Sequence, residues 1–113
     1  MHQPELFKKE ETADSAIDVE EIVLYALGEF QARGKVLIER PLPLDRLRGA
    51  LRRAAEVYGV EELDDGRAVA ALNALGADVR QVPSFVAKHP FRVVVSEALA
   101  ERARLVYEQA QAT

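Results

Sequence analysis

The chain has no cysteine and no tryptophan, and only one methionine, one asparagine and two histidines among its 113 residues. Without cysteine there are no disulfides, no thiolate catalysis, no zinc ribbons and no iron–sulfur clusters. No apolar run approaches the roughly 18 residues of a membrane span. The start, Met1-His2-Gln3-Pro4-Glu5, has neither a basic region nor an apolar signal core, so a cytoplasmic, bacterial-type protein is expected. The six glycines are dispersed and form no phosphate-cradling loop. The scarcity of Met, Asn and Cys suits a hot environment. The 18 alanines, and 11 arginines against 4 lysines, suggest a GC-rich genome.

What remains is ordinary globular composition, 49% hydrophobic and 30% charged, sized for one domain. The net charge of −4 excludes a wholly basic nucleic-acid binder. That charge is unevenly spread. Residues 1–32 carry −6, residues 33–60 carry +4 and residues 61–113 carry −2. The middle third is an arginine-rich island, either a solvated helix face or a site for an acidic partner.

Residues 1–14 read as a mobile acidic tail and residues 15–113 as one α+β domain. A first helix is expected from Asp18 to Arg33, with Asp18 and Glu21 as a capping box and Gly34 as its stop. Its stripe is Val19, Ile22, Val23, Ala26, Leu27 and Phe30. Lys35–Arg40 reads as a strand closed by Pro41 and Pro43. A second helix spans 43–58, stops at Gly59, and holds Gly49 as a position where another helix could approach closely. A third covers 65–75, capped by Asp64 or Asp65 and ended by Gly76. Residues 77–82 and 91–95 form an antiparallel hairpin. Ser96 caps a last helix over 97–111, with Leu99, Ala103, Val106 and Ala110 inward.

The expected order is α-β-α-α-β-β-α, with helices on one face of a small three-stranded antiparallel sheet. This order resembles a winged-helix domain over residues 18–95, with the hairpin as the wing. The resemblance implies DNA contact through the third helix and the wing. From the first strand onward it is also similar to a KH topology. The joint from Gly59 to Gly66 lacks that family's GxxG loop and carries four carboxylates, which excludes KH-type RNA binding.

Neither histidine has an orienting partner in sequence, and Ser84 and Ser96 carry no nucleophile signature. Glu61, Glu62, Asp64 and Asp65 lack the ligand alternation of a calcium loop. No catalytic residue, cofactor or metal is therefore expected. The reading favours a non-catalytic protein-interaction module, with a DNA-binding regulator as the alternative. The partner contacts expected are Arg46, Arg48, Arg52, Arg53, Arg67, Asn73, Lys88, His89 and Arg92. Asn73 and Arg67 could reach base edges or phosphates, but between alanines they make a sparse reader. Leu105, Val106 and Tyr107 on the last helix would suit a homodimer.

Overall fold

The computed structural model describes residues 19–83 and 91–112. Among the described residues, four helices and a three-stranded sheet follow the expected α+β order: α1 over 19–32, β1 Leu42–Pro43, α2 Leu44–Tyr58, α3 Asp65–Ala74, β2 Asp78–Gln81, β3 Phe91–Val94 and α4 Glu97–Ala112. The tail, Asp18 and the hairpin tip at 84–90 lie outside the described residues. Among the described residues, no helix is long and apolar enough to cross a membrane.

Helix α1 is the centre of the core. Every residue from 22 to 30 is buried, so burial extends well beyond the single expected stripe and includes Leu24, Tyr25, Gly28 and Glu29. The reason is that α1 is packed from several sides at once. Glu29 meets Arg53 of α2, and Gln31 donates to the Ala100 carbonyl of α4 at 2.9 Å. Tyr25 stacks edge-on against both Tyr58 of α2 and Tyr107 of α4.

The close helix approach falls at Gly28, not at Gly49. A Cβ on Gly28 would lie 2.5 Å from both the Ala103 carbonyl oxygen and the Tyr107 Cβ of α4. Beside Gly49, the nearest atom to such a Cβ is a guanidinium nitrogen of its own helix neighbour Arg53, at 3.5 Å.

The helix stops are as the glycines indicate. Gly34, Gly59 and Gly76 take φ of +85°, +70° and +97°, the left-handed region that glycine enters without steric cost. Asp64 caps α3 by accepting from the Arg67 amide at 2.8 Å. Ser96 caps α4 by accepting from the Leu99 amide at 3.2 Å.

The sheet order is β1-β3-β2, with both pairs antiparallel. Leu42, Val93 and Val79 are register partners, so they form one row across the sheet, with Val93 fully buried. Helix α2 packs on β1 and β3, and α3 packs on β2. The expected strand at Lys35–Arg40 is not formed. Its place at the edge is taken by the two residues Leu42–Pro43, preceded by a single parallel bridge between Ile38 and Val95. Glu39 explains the change: its φ of +52° turns the chain while its amide donates to the Val95 carbonyl at 2.7 Å. Pro43 is tolerated in β1 because β1 is an edge strand with one neighbour.

The inward face of α4 also departs from expectation at its far end. Leu99, Ala100 and Ala103 are buried and Val106 is half-buried, but Ala110 is exposed. The apolar stripe outruns the described surface that covers it.

Candidate functional site

The arginines of α2 divide into two groups. Three of them are held within the chain. Arg48 reaches across to the segment before α3, donating to the Leu63 carbonyl at 2.5 Å and pairing with Asp65 and, at 3.4 Å, with Glu62. Arg52 reaches the same Glu62 at 3.5 Å. Arg53 grips both oxygens of Glu29, at 2.8 and 3.0 Å from its Nε. This hydrogen bond is the main cause of an Arg53 pKa above the ordinary arginine value. The acidic segment expected as linker and cap thus also neutralises part of the basic island. Among the described residues, no group of three His, Asp or Glu side chains could hold a metal ion.

Arg46 belongs to the other group. It lines a cleft of about 360 Å³ between the end of α1 and the start of α2. Lys35 and Arg40 line the same cleft, together with Phe30, Val36, Leu42 and the two prolines Pro41 and Pro43. Among the described residues, no carboxylate lies in ion-pair reach of Lys35, Arg40 or Arg46. Val36 is 56% exposed and Ile38 43% exposed, so the cationic groups stand beside accessible apolar surface. Before the turn at Glu39 the side chains alternate as in extended chain, Leu37 buried and Val36 and Ile38 exposed. Arg92, the register partner of Pro43, has Arg80 as its other partner on β2, and Arg80 pairs with Asp78 at 3.0 Å. Arg92 also donates to the Phe91 carbonyl at 3.3 Å.

Arg67 and Asn73 are exposed on α3, as expected. Arg67 lies in a shallow depression with Val19, Glu20, Ala70, Ala71 and Ala74, so an acidic side chain of α1 borders that face. Lys88 and His89 lie outside the described residues. The structure therefore brings Arg46 together with Lys35 and Arg40, two residues that sequence reasoning did not single out. The signal for them was their lack of a nearby carboxylate other than Glu39, in a stretch whose turn was not foreseen.

On α4, Arg104 pairs with Glu101 and, at 2.6 Å, with Glu108. The hydrogen bond from Arg104 holds the Glu101 carboxyl below its usual value, and the same bonds raise the arginine above its own. Comparison with protein-family models, curated proteins and solved structures gave no match.

Proposed function

We propose that this chain is a small, non-catalytic cytoplasmic protein-interaction module. Its cleft between α1 and α2 takes a partner segment that combines acidic side chains with an exposed apolar one. The observation that carries this reading is the contrast within the basic island. Arg48, Arg52 and Arg53 are spent on internal carboxylates, while Lys35, Arg40 and Arg46 surround an apolar-floored cleft. Acidic groups would find counter-charges there without first breaking an internal pair, and an apolar side chain would find Phe30, Val36 and Leu42.

A second reading, a DNA-binding regulator of winged-helix kind, draws support from the element order and from the cross-strand pair Arg80 and Arg92 on the hairpin. Against it stand the alanines and the neighbouring Glu20 on the α3 face, where a duplex would meet little positive charge.

The test is fluorescence anisotropy with two probes, a labelled peptide of alternating glutamate and leucine and a labelled random DNA duplex. The expected result is peptide binding that weakens with salt, is lost in Lys35→Glu and Arg46→Glu, and is indifferent to Arg67→Ala. No peptide binding at low salt overturns the reading. Duplex binding that disappears in Arg67→Ala establishes the second reading in its place.

A further inference from the structure

A groove of about 490 Å³ runs between the first half of α1 and residues 102–110 of α4. Val106 and Ala110, with the edge of the otherwise buried Leu24, give it an apolar lining, and Gln109 stands on its rim. Its charges are segregated. Glu20 and Glu21 on α1 mark one end, and Arg102 on α4 marks the other.

The helices run antiparallel. Gln31 bonds Ala100, Gly28 meets Ala103, and Tyr25 accepts from Gln111 at 3.1 Å. Glu20 is one turn before Leu24, and Arg102 is one turn before Val106. The two ends therefore lie about 12 Å apart along the helix axes, with the apolar residues between them. Among the described residues, neither Glu20 nor Arg102 is in an ion pair, although each has an oppositely charged group in the same groove.

A surface that is acidic at one end, apolar in the middle and basic at the other is complementary to itself after a half-turn. We infer that this groove is the contact surface of a homodimer with a two-fold axis passing near Leu24 and Val106. In that arrangement Arg102 of each copy meets Glu20 of the other, twice over, and the two apolar centres cover one another. It also explains why the apolar stripe of α4 continues to Ala110, past the part of the helix that the described residues cover. Leu105, 46% exposed on the adjoining face of α4, would flank the contact. The inference is independent of the peptide cleft, which lies at the opposite end of α1.

The test is sedimentation equilibrium of the full chain and two charge-reversal variants, with circular dichroism to establish that each remains folded. The wild-type mass should rise from 12.5 kDa towards twice that value as the concentration passes through the micromolar to millimolar range. Glu20→Arg and Arg102→Glu should each weaken the dimer at least about tenfold, because each places like charges opposite one another at both ends of the contact. An equimolar mixture of the two variants should dimerise again. In the mixed dimer each of the two contacts sets an arginine of one variant against a glutamate of the other, so both contacts are restored. A wild-type chain that stays at 12.5 kDa up to about 1 mM overturns the inference. So does a dimer that survives both single reversals, or a mixture of the two that stays monomeric.

Discussion

The carboxylate of Glu29 and the guanidinium of Arg53 join α1 to α2 through both acid oxygens. The Glu29 side chain is only 12% exposed, whereas that of Arg53 is 39% exposed. The partners are therefore unequal. Loss of the arginine strands a buried charge, with only the longer Arg33 contact at 3.5 Å left to it. Arg53→Ala should lower unfolding free energy by about 2 kcal/mol. Arg52→Ala, which breaks an exposed pair with Glu62, should change it by no more than about 0.5 kcal/mol. Urea denaturation of the two variants side by side checks the ordering, and equal losses would contradict it.

Two helical glycines should respond in opposite directions to alanine. At Gly28 the added methyl meets backbone and Cβ atoms of α4 that cannot swing aside, so α1 and α4 must separate. Gly28→Ala should cost about 1–3 kcal/mol, the range for overpacking. At Gly49 the methyl meets only ordinary contact with Arg53. Gly49→Ala should stabilise by about 0.5–1 kcal/mol through helix propensity. Thermal unfolding of both variants measures the two signs.

The contrast between those glycines shows what a sequence reader can and cannot see here. Gly34, Gly59 and Gly76 each follow an apolar stripe, and a local backbone requirement explains them, so the helix ends were legible. The same holds for Asp64 and Ser96, whose capping bonds span three residues. Gly28 was not legible, because its reason lies 75 residues away on α4. The partners of Arg48 and Arg52 are 10 to 17 residues distant on another segment, so the basic island looked more available than it is. In the stretch 35–40, β-branched composition argued for a strand, and the left-handed turn at Glu39 overrode it. Lys35 and Arg40 lie at either end of that stretch, and only the fold brings them together with Arg46 around one cleft.

Glu39 itself sits where side chains are disfavoured, at φ +52°. A left-handed conformation costs a non-glycine residue roughly 1–2 kcal/mol, part of which glycine returns as chain entropy in the unfolded state. Glu39→Gly should therefore leave the chain as stable or stabilise it by up to about 1 kcal/mol. Glu39→Val should destabilise it, since a β-branched side chain tolerates this region least. If the valine variant proved as stable as the glycine variant, the turn would not have the conformation described.

The trio Glu101, Arg104 and Glu108 on α4 gives a pH-dependent prediction with a definite sign. The Glu101 carboxyl is held below its usual value, chiefly by the hydrogen bond from Arg104. A carboxyl whose folded value is depressed contributes stability at pH above its unfolded value, and loses that contribution as pH falls through the folded one. The helix support from this pair should therefore be complete at neutral pH, begin to fall in the range in which free glutamates protonate, and be gone only at more acid pH. An NMR titration of the Glu101 side-chain carbonyl carbon should show a midpoint below that of an unstructured peptide. Arg104→Gln should move the midpoint back up. Because both groups are exposed and screened by solvent, the change should appear as a small local loss of helix around Glu101–Arg104 in acid, and not as global unfolding. A Glu101 midpoint unaffected by Arg104→Gln would show that the pair does not persist in solution.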